Sequence, residues 1–477
     1  MRYILYRTDG ILQDCSAHTL SGQFFYTQAD LGKEEIVGGD SVHLETQLLG
    51  KFICAYQFFC VILHNLVVAL FSGKMKRFYC IVCLVVCVLM GVRGHETTDS
   101  LQNARITFRG AWIATVANID WPTAGAVGNT EQQQQEMIFL LDSLHSIGIN
   151  AIIFQVRPTA DAFYLSELEP ISSWLTGVQG VWGEQTAWDP LEFVVEEAHK
   201  RDMAVHVWLN PYRVNIAKSP VTAMWQNHIF KSNPEWFWQY NGQWYFNPGL
   251  DDTRDWICMV VEDIVSRYDI QGIHMDDYFY PYPAGKQQIP DLQTFKNNPR
   301  GFDNIADWRR NNVNLAIQEI HQAIRSLKPE VEFGISPFGV WRNQSRDSIR
   351  GSATRAGITN YDDLYADVLL WMEEGWIDYV MPQLYWEIGK PAADYEVLAH
   401  WWAEHSAGCK LYIGMAPYRL EGKKETAAWR TGNEISRQMR LNRTIPEITG
   451  ECFYSTRPLL RNPRHVCDSI RAFYVQP

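Results

Sequence analysis

From Arg109 onward the chain repeats one pattern: a short β-branched or aromatic run, a loop, then a longer amphipathic segment. The runs are RGAWIATV (109–116), NAIIFQVR (150–157), AVHVWLNP (204–211), GIHMDDY (272–278), EFGISPFG (332–339), YVMPQLYW (379–386), KLYIGMAPY (410–418) and GECFYSTR (450–457). Helical patterns between them include Gln132–Ile147, Pro190–Arg201, Asp255–Tyr268, Trp308–Leu327, Asp362–Glu374 and Tyr395–His405. Each helix carries the chain back to the same edge, so successive strands run parallel. Eight such units predict an α/β fold, a (β/α)8 TIM barrel over residues 105–477. Reactive groups are then expected at the C-terminal ends of the strands.

Successive residues of a strand point to opposite faces, and this orients each run. In GIHMDD, Ile273 and Met275 share the apolar face that belongs under the helices. His274 and Asp276 are therefore expected to point into the barrel, and Asp277 away from it. The same rule sends Gln155, Arg157, His206, Trp208 and Asn210 inward, and puts Gln383, Tyr385 and Glu387 on one face. Buried polar groups cost free energy unless paired, so Gln, Arg, Asn and Asp at one mouth point to a site.

Each candidate also has a plainer role. Asp276 could be half of an ion pair with Arg157, although its position at a strand end favours chemistry. Asp277 could brace the following loop. Asp161, in RPTADAFY, and Glu387, just past the sixth strand, could reach the same mouth, or serve as a turn residue and an exposed loop residue. His206 and His274 lie one layer deeper and read as core histidines. With no H-x-H or H-E-x-x-H spacing, no metal and no cofactor is expected. No G-x-S-x-G elbow and no Gly-rich loop after a strand occurs, which counts against acyl transfer and nucleotide binding. The stretch NPEWFWQYNGQWYFNPG (233–249) is expected to line the substrate.

A net charge of −12 argues against nucleic acid as the main partner, because phosphate binding needs a concentrated basic surface. The chain holds 19 Trp, 22 Tyr and 22 Phe, enough for a large aromatic core or for a cleft of flat rings that suits sugars. At Met75 a second pattern begins, MKRFYCIVCLVVCVLMGVRG: a positive start, an apolar stretch, then small residues. That is the layout of a secretory signal. The expected division is an upstream extension foreign to the native protein (1–74), a signal peptide (75–94), a linker (95–104) and the barrel. Export to the periplasm or the extracellular space follows, with no stable membrane span in the mature chain. The alternative is a membrane hairpin built from this run and Ile53–Phe71. The bulky and apolar neighbours of Cys87 argue against lipoprotein anchoring. Four cysteines lie beyond the signal (258, 409, 452 and 467), and none has metal-ligand spacing.

Taken in order, RGAWIATV, QVRPTADAFY, WDPLEFVVEEAHKRDMAVHVWLNPYR, GIHMDDYFYP and YVMPQLYW resemble the bacterial glycosyl hydrolase-like family 10. The resemblance implies an exported barrel acting on glycans, with peptidoglycan strands, including strands stripped of peptides, as the substrate class. It matches Asp276 and Asp277 to the family's carboxylates. It matches Gln155, Arg157, Asp161, Asn210, Tyr212, Arg213, Gln383 and Tyr385 to other mouth motifs, with Tyr278 and Trp386 inside the same stretches as further sugar contacts. Glu387 departs from the pattern, standing where a small polar residue is expected. Glycosidic cleavage takes two carboxyl groups, one protonated and one ionised. Asp276 is expected as the acid, with Asp277, Asp161 or Glu387 as the second group. An acetamide on the substrate could instead serve as nucleophile. Two rival classes remain, a non-catalytic carbohydrate-binding barrel and a metal-dependent hydrolase or deacetylase. Product analysis and chelation separate them.

Overall fold

The structure, a computed structural model, describes residues 106–184, 187–216 and 224–475. The signal, the linker and the upstream extension lie outside these residues. Eight parallel strands close into a barrel in strict chain order. They are β1 (Phe108–Ile113), β2 (Ala151–Arg157), β3 (Ala204–Leu209), β4 (Gly272–Met275), β5 (Glu332–Ile335), β6 (Tyr379–Val380), β7 (Lys410–Met415) and β8 (Ile448–Phe453). Closure joins the first strand to the last, with Phe108 opposite Gly450.

The main helices are α1 (Thr130–Ser146), α2 (Pro190–His199), α3 (Asp251–Arg267), α4 (Ile305–Leu327), α5 (Val368–Glu373), α6 (Tyr395–Glu404), α7 (Asn433–Asn442) and α8 (Val466–Tyr474). Side-chain caps start several of them. Asn129 accepts from the Gln132 N–H at 3.1 Å, and Asp189 accepts from Leu191 at 3.1 Å just before Pro190, which needs no partner at that position. The helix expected over 362–374 is broken instead into Asn360–Asp363 and α5. Tyr365 between them takes φ of 55° and accepts a 2.8 Å hydrogen bond from Arg309, so a tertiary contact overrides local propensity.

The apolar residues form two bodies. Ile152, Phe154, Val156, Val205, Val207, Leu209, Ile273 and Met275 join the layer between sheet and helices, as alternation predicted. Phe108, Trp112, Ile153, Trp208, Tyr379 and Tyr412 fill the lumen separately. Each such side chain contributes roughly 1.5–3 kcal/mol when fully buried. Glycines make room for the lumen rings: a Cβ on Gly334 would collide with Tyr379, and one on Gly272 with His206.

One polar chain crosses this lumen. Tyr379 Oη lies 3.0 Å from His206 Nδ1 and 2.9 Å from His274 Nδ1, and His274 Nε2 lies 2.9 Å from Ser336 Oγ. Burial depresses both histidines, His206 to about 3, so both are neutral. The single phenolic proton then requires one ring to accept from Tyr379 while the other donates to it.

Candidate active site

Strand β2 delivers Gln155, β3 delivers Asn210 one residue past its end, and β4 delivers Asp276 one residue past its end. A hydrogen-bond chain ties these points together. The backbone N–H groups of Thr115 and Val116 donate to Gln155 Oε1 at 3.0 and 2.9 Å. Gln155 Nε2 donates to Asn210 Oδ1 at 2.7 Å, and Asn210 Nδ2 donates to Asp276 Oδ2 at 2.6 Å. Arg213 Nη2 donates to the same Asn210 Oδ1 at 2.9 Å. Two donors on Oδ1 fix the amide, so Asn210 can offer Asp276 only N–H. The Tyr278 backbone N–H donates to the other carboxylate oxygen at 3.2 Å. Both oxygens of Asp276 are thus acceptors, which suits the ionised form.

Asp277 is corrected against its expected direction. Strand β4 ends at Met275, so alternation no longer governs residue 277. Its carboxyl accepts from the Tyr282 hydroxyl and hydrogen-bonds Gln383, whose Nε2 also donates to the Ser336 carbonyl at 2.8 Å. Both carboxylates are buried, 5% and 3% exposed, and near enough for the charge of Asp276 to act on Asp277. Burial raises Asp276, while the Arg213 charge and the hydrogen bonds from Tyr278 and Asn210 oppose the rise. Burial and then the neighbouring Asp276 charge push Asp277 up to about 7. When the pair holds one proton, that proton belongs on Asp277.

Aromatic rings border the pair. Tyr278, Tyr282, Phe338 and Trp386 contact one another in series, with centroid spacings of 5.4, 6.2 and 5.4 Å. Tyr385 stacks on Tyr454 at 6.0 Å and meets Tyr418 edge-on at 5.9 Å. Tyr282, Ser336, Phe338, Tyr418 and Tyr454 escaped the sequence reading. Tyr282 stands inside DDYFYPYP and could have been found there, whereas the others sit just past the ends of β5, β7 and β8, where residue type alone marks no site.

Several expected mouth residues lie elsewhere. Arg157 does not meet Asp276: it forms a fully buried ion pair with Glu169 at 2.6 Å, and Nη1 donates to the carbonyls of Asn210 and Pro211 at 2.6 and 3.0 Å. A register shift between Gln155 and Arg157 breaks the alternation that would have turned it inward. Tyr212 is buried next to Arg254 and Glu319 of α3 and α4, under the helices rather than at the mouth. Asp161 is held in the β2 loop by Thr159 Oγ1 at 2.8 Å and Gln179 at 3.3 Å, and burial raises it to about 6. Glu387 accepts from Trp429 Nε1 at 2.9 Å and pairs with Lys390 at 3.4 Å. Burial raises Glu387, but these partners outweigh it and hold the carboxyl below its ordinary range. The 233–249 stretch forms a hairpin, Phe237–Tyr240 with Gln243–Phe246, whose rings are largely buried in its own packing. It extends the chain at 212–214 instead, through Val214 N to the Trp244 carbonyl and Phe246 N to the Tyr212 carbonyl, each at 2.9 Å.

Among the described residues, no three His, Cys, Asp or Glu side chains converge to hold a metal ion, and no helix is long and apolar enough to cross a membrane.

A closed barrel of this order with neighbouring carboxyl groups among aromatic rings has the groups that glycosidic chemistry requires. Residues 107–431 match the family described as Glycosyl hydrolase-like 10, and the chain belongs to that family. It is 44% identical over 365 residues to glycosyl hydrolase YngK of Bacillus subtilis (strain 168), covering 76% of this chain and 70% of that protein. It is 39% identical over 381 residues to glycosyl hydrolase DigH of Escherichia coli (strain K12), covering 76% and 85%. Among solved structures, the PgaB (BpsB) glycoside hydrolase domain from Bordetella bronchiseptica is similar with a TM-score of 0.51 at 12% identity, covering 78% of this chain and 99% of that one. At that identity the likeness is one of fold.

Proposed function

We propose that the protein is an exported glycoside hydrolase that cleaves glycosidic bonds of bacterial cell-wall polysaccharide, with peptidoglycan glycan strands stripped of peptides as the substrate class. The observation that carries the chemistry is the Asp276–Asp277 pair, in which one carboxyl is built to accept hydrogen bonds and its neighbour is raised to about 7. Asp277 is the general acid that protonates the leaving glycosidic oxygen. Asp276, ionised, stabilises positive charge at the anomeric carbon or orients the attacking group. This reverses the order expected from strand alternation, which favoured Asp276 as the acid. Family membership and the relatives' names as glycosyl hydrolases support the reaction class. The signal-like layout after Met75 supports export.

The test is incubation of the purified protein with cell-wall glycans, followed by mass spectrometry of soluble products. Fragments that survive chelator and disappear with Asp277→Asn are expected. Binding without products would favour a carbohydrate-binding barrel, and loss of products with chelator a metal enzyme.

A further inference from the structure

We propose that Arg213 is a specificity residue that reads an anionic substituent, a carboxylate, on the sugar held at the cleavage point; this rests on the glycan-hydrolase reading above. A guanidinium has five N–H donors. In Arg213, Nε and Nη2 donate to the Pro158 carbonyl at 3.0 and 2.8 Å, and the second Nη2 hydrogen goes to Asn210. Three donors are thereby spent on the loops after β2 and β3, and the plane of the group is fixed. Nη1 has no acceptor among the described residues and is not among the buried unpartnered atoms, so this end of the guanidinium is in contact with solvent. The guanidinium lies over the Tyr278 ring at 5.5 Å, and Tyr278 as a residue is 37% exposed. The mouth therefore offers an apolar ring face, a fixed cation with a hydrated end, and the carboxyl pair, all within one loop cluster.

The hydrated end of a guanidinium whose plane is already fixed can take a ligand acceptor without breaking a contact inside the protein. A sugar resting on Tyr278 with a carboxylate side group supplies the acceptor that Nη1 lacks. The same arrangement disfavours a glycan of free amino sugars, whose ammonium groups would meet Arg213 with like charge. Preorganisation makes the contact worth having, since the donors lose little further freedom on binding.

The test measures binding by the full chain carrying Asp277→Asn, which holds glycan without cutting it, while turnover by the unmodified protein is followed in parallel. The probes are one oligosaccharide whose alternate sugars carry free carboxylates, and the same oligosaccharide with those carboxyls converted to neutral methylamides. A charge-assisted hydrogen bond contributes about 1.5–3 kcal/mol, so neutralising the probe should weaken binding by roughly 10- to 100-fold. With Arg213→Gln added, both probes should bind alike. Reading the ratio between probes within one variant cancels any effect of the substitution on Asn210 or Asp276. Equal binding of the two probes while Arg213 is present overturns the assignment and leaves the hydrolase reading standing. Failure of both probes to bind, with no turnover, overturns the hydrolase reading and the assignment with it.

Discussion

The lumen and the mouth of the barrel bury polar groups to a similar degree and handle charge in opposite ways. In the lumen, His206, His274, Tyr379 and Ser336 partner one another, and burial keeps both imidazoles neutral. At the mouth, burial raises Asp276 while Asn210, the Tyr278 backbone and Arg213 favour its charged form, and burial and then the Asp276 charge hold the proton on Asp277. A neutral network satisfied from within is scaffold. A charged network that holds a removable proton has chemistry available to it. The Arg157–Glu169 pair is the instructive third case: it is charged and fully buried, yet each charge is spent on the other, with two backbone carbonyls completing Arg157 and the Trp256 indole N–H completing Glu169.

Variants can break this contrast, and the largest effect belongs to the mouth. Asp277→Asn should lower the cleavage rate by about 10²–10⁴ while leaving the melting temperature nearly unchanged in acid, where Asp277 is protonated and the swap is close to isosteric. An unfolded or fully active variant would remove the role assigned to Asp277. Next comes the spent pair. Glu169→Gln strands a buried guanidinium and should cost roughly 3–5 kcal/mol in urea unfolding, with the active fraction turning over normally. A loss of turnover without a loss of stability would place Arg157 in the chemistry after all. Smaller again is Tyr379→Phe, which leaves the two histidines short of a partner. It should cost about 1–3 kcal/mol and leave the pH profile of activity where it was.

The contrast also predicts a pH dependence of stability whose sign differs between the two regions. Between the ordinary 3.8 and about 7, folded Asp277 keeps a proton that the unfolded chain has released, so its contribution makes stability fall as pH rises through that window. His206, depressed from 6.5 to about 3, is bound by a proton only in the unfolded chain there, so its contribution is lost as pH falls through that range. Unfolding free energies of the wild type and Asp277→Asn, measured from pH 4 to 8, should differ by a term that declines toward high pH in the wild type alone. Turnover should fall as pH rises through about 7, where Asp277 deprotonates.

The barrel was legible in the sequence because alternation is local: Ile152, Phe154, Val205, Val207, Ile273 and Met275 reveal their face by parity alone. The mouth was legible only as far as the strands run. β4 stops at Met275 and β6 at Val380, so Asp277, Gln383 and Tyr385 stand on loops, whose side-chain directions tertiary contacts decide. Arg157 misled for a related reason, a register shift that leaves no mark in residue type. Its partner Glu169 lies in a loop where a lone carboxylate reads as solvated. Asn210 and Gln155 were found because they stand on or next to regular strand.

Closure of β1 against β8 sets a condition on how this protein is made. Phe108 pairs with Gly450, so the edge of the first strand stays open until nearly the whole barrel has been synthesised. At ~5–20 residues per second, that interval is on the order of 17–70 s. Throughout it, the nascent chain presents an unpaired edge that any other strand could capture. A chain truncated before Ile448 would therefore keep two open edges and have no closed barrel to hold Thr115, Gln155, Asn210 and Asp276 in line.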